Sequence, residues 1–263
     1  MKKKIISIKN KNIFISGAYG YIASKIAIDL ASEGANLIIN GKNLSKLNKL
    51  KKKISMFNNK ITIANFDITD SLSLKKFFSK EYKLPLNSII HNSNYVNIGG
   101  LSNVNEDDYI NSYKVSVIAA DNLIKFAKGH LLKASKKSNF SSFINIGSIY
   151  GSLSPFFDNY GSEKYFNPPN YGASKSALTQ WTRYAACQYG KYGIRFNTIS
   201  PGPIPNINKK INKKFLQKLL KKIPVRKFGK PEDLSGIIIY LCSNSSQFIN
   251  GSNIVIDGGW SAW

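Results

Sequence analysis

At 263 residues the chain is one large domain or two small ones, and its 43% apolar content excludes wholesale disorder. Thirty-eight Lys and Arg against fourteen Asp and Glu give a formal charge of +24. The lysines are scattered among many Asn and Ile, which reads as solvated faces rather than a nucleic-acid surface, and no nucleic-acid partner is expected. The two cysteines, Cys187 and Cys242, cannot build a disulfide framework, and no His/Cys cluster has metal-ligand spacing. That usage fits a reducing, cytoplasmic compartment.

In chain order, the basic start Met1-Lys2-Lys3-Lys4 lacks the apolar stretch that a signal peptide requires. No apolar run approaches the roughly 18 residues of a membrane span, so no membrane partner is expected. From there, short apolar runs alternate with amphipathic stretches. The pattern predicts strands at Ile13–Ser16, Leu37–Asn40, Ile61–Asn65, Ser88–His91, Phe143–Gly147, Arg195–Ile199 and Ile254–Ile256. Helices are predicted between them at Ile22–Ser32, Leu44–Ser55, Leu72–Ser79, Tyr109–Lys128, Tyr171–Tyr189, Lys213–Lys222 and Pro231–Cys242. Strands alternating with helices of this length imply an α/β fold, a three-layer doubly wound parallel sheet (Rossmann fold) with helices on both faces. With no repeat and no linker, residues 1–263 read as a single domain. One long connection, Gly151 to Asn170, is rich in Pro, Gly, Asn and aromatics, and loops of that length are usually functional.

The first strand runs into Ser16-Gly17-Ala18-Tyr19-Gly20-Tyr21-Ile22-Ala23 and then a helix. Gly17 would allow a tight turn and Gly20 a close approach of backbone to a pyrophosphate. Ala23 would allow close helix–sheet packing, and the helix start would offer free N–H groups. The second strand ends at Asn40-Gly41-Lys42 with no carboxylate to bond a ribose 2′-OH. Lys42 could instead neutralise a 2′-phosphate, which favours NADP(H) over NAD(H). Further on, Tyr171 and Lys175 stand four apart, on one face of a helix. A cation near the phenol is expected to lower its pKa and fit it for proton exchange with an alcohol or carbonyl oxygen. Ser148 follows a buried strand, at the carboxyl edge where such sheets bind ligands, and its hydroxyl could hold the substrate oxygen.

Together these features resemble the short-chain dehydrogenase/reductase family, over nearly the whole chain. Ser16-Gly17-x-x-Gly20-x-x-Ala23 resembles the family's cofactor turn, and the resemblance adds Tyr19, Tyr21 and Ile22 to the expected contacts. Asp67-Ile68 is similar to the pair that contacts adenine. His91-Asn92-Ser93-Asn94 is similar to an Asn-Asn-Ala-Gly strand end, altered at three of four positions, and implies cofactor contacts from Asn92, Ser93 and Asn94. Ser148, Tyr171 and Lys175 fall on the catalytic serine, tyrosine and lysine, and Tyr171 and Lys175 would also touch the cofactor. Pro201-Gly202, with Ile204, resembles the step beside the nicotinamide. Arg226-x-x-Gly229-x-Pro231-Glu232-Asp233 and Val255-x-Asp257-Gly258-Gly259 are similar to C-terminal signatures.

Two positions depart from the pattern. Ser116 stands where the family has an asparagine that helps hold a water of the proton relay, and it is taken as a catalytic position here. The threonine expected after Pro-Gly is missing, with Asn206 nearby. The resemblance implies an NAD(P)-dependent interconversion of a secondary alcohol and a ketone. The rival reading, prompted by Ser116, is a catalytically weakened relative serving as a cofactor-binding sensor or subunit.

Ser148 and Tyr171 are 23 positions apart, more than the family's common spacing. The stretch from Gly147 to Tyr171 and the ending Asp257-Gly258-Gly259-Trp260 resemble the branch associated with flagellin modification and surface-polysaccharide sugar synthesis, which implies a sugar or sugar-derivative substrate. Phe156, Phe157, Tyr160, Tyr165 and Phe166 could wall a sugar face, with Asp158, Asn159 and Asn167 for its hydroxyls. Residues 151–170 are therefore read as a substrate loop. Residues about 203–224 fall on the family's lid, and Lys209 to Lys222 form its basic amphipathic helix, which either attracts a phosphorylated sugar or presents a solvated face. His91 and His130 read as structural. The resemblance also implies a homodimer or homotetramer through the long fourth and fifth helices and the last strand, with Trp260 and Trp263 compatible with such contacts.

Overall fold

The computed structural model describes residues 6–57, 59–206 and 208–262. Trp263 and the start of the basic N-terminus lie outside the described residues. Seven strands form one parallel sheet: β1 (Asn12–Ser16), β2 (Asn36–Asn40), β3 (Ile61–Ala64), β4 (Ser88–His91), β5 (Ser141–Ile146), β6 (Ile194–Pro201) and β7 (Asn253–Ile256). Their order across the sheet is β3-β2-β1-β4-β5-β6-β7. Ile13 pairs with Leu37 on one side and Ser88 on the other, so the direction of winding reverses between β1 and β4. Open parallel sheets bind ligands at the carboxyl ends of the strands flanking such a reversal.

Alternation along each strand divides the core. Ile13 and Ile15 of β1 face one side, where they meet Ile26 and Leu30 of α1 (Tyr21–Ser32), Leu47 of α2 (Leu44–Ile54) and Ile238 of α8 (Glu232–Cys242). Phe14 faces the other side with Phe143 and Phe196, against Leu74 of α3 (Ser71–Lys76), Leu123 of α5 (Ala119–Ser138) and Leu178 of α6 (Pro169–Tyr189). Both faces are covered, which is why the strands are apolar at consecutive positions. Phe14, Phe143 and Phe196 are fully buried, and each such side chain stabilises the fold by about 1.5–3 kcal/mol.

Several boundaries differ from the sequence expectation, each for a local reason. The helix expected from Tyr109 begins at Glu106, because Asn105 accepts from Asp108 N–H while the Asp108 carboxylate accepts from Asn105 N–H. It runs as α4 (Glu106–Tyr113), then a π-helical turn over Lys114–Ile118, then α5 to Ser138. Asp70 caps α3, which begins at Ser71, one residue before the expected start, and a second π turn follows at Phe77–Glu81. The connection from Gly151 is not structureless. It holds short 3₁₀ turns at Phe157–Asn159 and Glu163–Tyr165, and its last residues already belong to α6, which starts at Pro169. The basic helix α7 spans Lys213–Lys222, as expected.

Candidate active site

The turn after β1 approaches β4 closely. Gly17 has φ +60°, and a Cβ there would lie 3.1 Å from the Ser93 hydroxyl, so both its conformation and its surroundings favour glycine. Helix α1 then starts at Tyr21 with no capping side chain and no acidic residue in its first turn. Its exposed N–H groups and positive dipole end therefore remain available to an anion.

Ser16 does not line the cavity; it braces it. Its Oγ accepts from the N–H groups of Asn92 and Ser93 at 3.0 and 3.2 Å and contacts His91 Nδ1 at 3.0 Å. His91 Nε2 faces the carbonyls of Val115 and Ser116, both at 3.1 Å. Carbonyls only accept, so Nε2 carries the proton and Nδ1 accepts from Ser16. Burial, and then the charge of Lys175, push His91 down to about 4, so it stays neutral. This fully enclosed histidine ties the glycine turn to the π turn in the α4–α5 region.

Two adjoining cavities open along the carboxyl ends of the strands. The smaller, about 230 Å³, is lined by Gly17, Tyr19, Gly20, Gly41, Lys42, Asp67, Ile68 and the Asn92–Asn94 segment. The larger, about 550 Å³, begins at Gly20, Tyr21 and Ile22, passes Asn92 and Asn94, and reaches Ser148, Tyr171, Lys175, Pro201, Gly202 and Ile204. Apart from Ser16 and Ser116, every residue singled out from the sequence as catalytic or cofactor-binding lines one of the two. Lys42 is largely exposed and lies 3.4 Å from Asp67. Burial works against the Asp67 carboxylate, but the Thr69 N–H and hydroxyl and then Lys42 hold it below the usual range.

At the inner end, the Tyr150 N–H donates to Ser148 Oγ at 3.1 Å, and the Ser148 hydroxyl favours the ionised form of the neighbouring Tyr171 phenol. The approach depends on Gly172, where a Cβ would lie 2.8 Å from the Tyr150 carbonyl. Asn170 anchors the start of α6 by donating to the Ser112 hydroxyl at 2.6 Å and the Asp108 carbonyl at 3.2 Å. Lys175 is buried. Its Nζ donates to the Ile146 carbonyl at 2.8 Å and lies 5.7 Å from the centre of the Tyr171 ring.

The electrostatics correct one expectation. Burial raises the Tyr171 pKa above that of a free phenol, only partly offset by Ser148, and burial pushes Lys175 down to about 8. The lysine's proton is aimed at a carbonyl, and among the described residues no carboxylate lines the larger cavity to hold its charge. Sequence spacing put the two groups on one face but did not show how little water reaches either.

Ser116 is buried in the π turn. Its Oγ lies 3.5 Å from Ser174 Oγ, and its carbonyl faces His91. Tyr150, two residues past Ser148, lines the larger cavity and was not singled out from the sequence as a site residue. Its position in Ser148-Ile149-Tyr150 was the one available signal. Helix α7 rests on the insertion: Lys218 Nζ donates to the Asp158 carbonyl at 2.6 Å, Lys222 Nζ sits 3.4 Å from the centre of the Phe156 ring, and Phe215 packs on Tyr160. Two of the basic lid's charges are thus engaged locally, while Lys209 reaches the larger cavity. Among the described residues, no cluster of His, Cys, Asp and Glu could hold a metal ion.

Residues 17–261 match the family model described as enoyl-(acyl carrier protein) reductase. A 3-oxoacyl-(acyl-carrier-protein) reductase of Rickettsia conorii is 28% identical over 97% of this chain and 98% of its own. A 2-dehydro-3-deoxy-D-gluconate 5-dehydrogenase of Bacillus subtilis is 25% identical over 97% of this chain and 96% of its own. Among solved structures, a gluconate 5-dehydrogenase of Burkholderia cenocepacia in complex with NADP and tartrate superposes with a TM-score of 0.85 at 22% identity. That superposition covers 98% of this chain and 97% of the other.

Proposed function

Because the chain belongs to the short-chain dehydrogenase/reductase family, an oxidoreductase family acting on CH–OH groups, we propose that it interconverts a secondary alcohol and a ketone on a sugar or sugar acid, using NADP(H) in preference to NAD(H). The observation that carries this reading is the convergence of Ser148, Tyr171 and Lys175 at the inner end of a cavity that starts at an uncapped helix N-terminus. The chain's residues fit a dinucleotide. Gly17 and Gly20 leave the backbone bare beside α1, and a long cavity leads from there to the reacting groups. The nicotinamide would supply or take up the hydride.

In this reading Tyr21 and Ile22 present backbone N–H groups to the diphosphate. Asp67 and Ile68 border the adenine, and Lys42 meets the 2′-phosphate. Asn92, Asn94, Pro201, Gly202 and Ile204 line the nicotinamide half. Ser148 holds the substrate oxygen against Tyr171. The buried phenol keeps its proton at neutral pH, which suits donation to the oxygen of a ketone as it becomes an alkoxide. Lys175 contributes charge near the ring and orients the nicotinamide ribose. Ser116 acts through the wall of the site, by holding the π turn against His91 and Ser174.

The sugar class is supported by the insertion, whose Tyr160 lines the cavity beside Asn167 with Phe166 packed edge-on against its ring, and by sugar-acid dehydrogenases among the relatives. Assembly into a homodimer or homotetramer is part of the proposal; Tyr109, Tyr113 and Ile118 leave apolar surface exposed along the α4–α5 region. The test follows absorbance at 340 nm with NADP⁺ or NAD⁺ and a panel of aldoses, sugar acids and their keto forms. Turnover of a polyol with NADP(H) supports the reading. Tight cofactor binding with no turnover on the whole panel would leave the sensor or subunit reading in its place.

A further inference from the structure

We propose that Asn167 and Tyr160 together read a second hydroxyl of the substrate, distinct from the carbinol handled at Ser148 and Tyr171. The inference rests on the sugar reading above and names the residues that would enforce it. Asn167 lines the larger cavity with Ser148 and Tyr171, and also a neighbouring cavity of about 280 Å³ between the insertion and α7. Tyr160 and Ser148 line that second cavity too. A molecule reacting at Ser148 that extends under α7 therefore passes both side chains.

The chemistry offered there is specific. Asn167 Oδ1 is buried and has no hydrogen-bond partner in the protein. A buried acceptor left unpaired is costly, so a ligand donor at this place would be rewarded. Tyr160 offers the opposite function. Its phenol stands beside the Tyr150 side chain and Asn167 at the wall of the same cavity. A phenol carries a proton that it can give to a ligand acceptor. An alcohol both donates and accepts, and it matches this acceptor–donor pair as neither a ketone nor an ether would.

Both groups are held in place before any ligand arrives. Pro168 restricts Asn167 to extended backbone, and the Gly99 N–H donates to the Phe166 carbonyl at 3.1 Å. The Tyr160 ring is wedged between Phe166 and Phe215, with centroids 5.4 and 5.1 Å away. Preorganised polar groups of this kind discriminate strongly against molecules that lack the matching hydroxyl.

The test is calorimetric titration of the protein loaded with NADP⁺, using L-rhamnose and D-gluconate as polyols and cyclohexanol as a ligand with a single hydroxyl. The ratio of polyol to cyclohexanol affinity is expected to fall about tenfold or more in Tyr160→Phe and in Asn167→Leu. Asn167→Asp keeps the shape and the acceptor, and should restore the ratio for uncharged L-rhamnose but not for anionic D-gluconate. Thermal unfolding checks each variant; if Asn167→Leu does not fold, Tyr160→Phe, which loses one oxygen only, decides. An unchanged ratio, an equal loss for all ligands, or no saturable polyol binding by the loaded wild type overturns the inference. Polyol binding that obeys these rules without any turnover would instead count against the oxidoreductase reading and leave the hydroxyl-reading pair standing.

Discussion

The Lys175 ammonium lies 5.7 Å from the centre of the Tyr171 ring, yet its hydrogen bond goes to the Ile146 carbonyl at 2.8 Å. The pair therefore acts through space rather than by a direct bond, and burial is the dominant influence on both groups.

Burial of Lys175 has a consequence for stability. Its pKa is pushed from 10.5 to about 8 in the folded protein. Between those values the unfolded chain binds more protons than the folded one, so this group makes stability rise with pH across that window. Below pH 8 the whole penalty is present, about 3 kcal/mol. Lys175→Met removes it. In denaturant titrations, the stability of Lys175→Met relative to wild type should be greatest at pH 7 and decline steadily from pH 8 to 10.5. A difference that does not vary with pH would show that the lysine is not strained by burial.

Gly172 sets the distance between the Ser148 segment and helix α6. The Cβ of Gly172→Ala would meet the Tyr150 carbonyl at 2.8 Å, and one of the two must move. Turnover is expected to drop by about a hundredfold, as small misplacements of reacting groups do. NADPH affinity, measured by fluorescence titration, should change less than about threefold, because the dinucleotide contacts proposed on α1 and the β4 end are remote from this contact. Equal losses in both would mean that Gly172 supports the fold at large.

Much of this was legible in the sequence, and the reason differs from residue to residue. The β-α rhythm and the glycine turn are local patterns of period and conformation, so Gly17, Gly20 and the strand cores could be placed directly. Tyr171 and Lys175 share a helix face by spacing alone. The pKa of each depends on how much water the fold excludes, which no local pattern encodes, and there the expectation had the wrong sign for the phenol. His91 was readable as structural but not as the brace between Ser16 and the Ser116 carbonyl, since those partners are 75 and 25 positions away. The π turn over Lys114–Ile118 interrupts a helix whose sequence reads as continuous. Its cause is tertiary, with two carbonyls turned toward one imidazole.

Lys42 tests the cofactor preference. Its ammonium already lies near Asp67, but the pair is exposed and weak, so a 2′-phosphate could displace it. Lys42→Glu should weaken NADPH binding by about tenfold or more and alter NADH binding by less than about threefold. Equal effects on the two cofactors would remove Lys42 from the 2′ position and favour NAD(H).

The central claim is that the Tyr171 hydroxyl carries the proton while hydride moves to or from the cofactor. Its most direct measurement is the 340 nm rate of Tyr171→Phe beside its NADPH affinity, on the best substrate the wild type accepts. The rate should fall by about 10²–10⁴-fold while affinity for NADPH stays within about fivefold. A variant that turns over within tenfold of wild type would contradict the account.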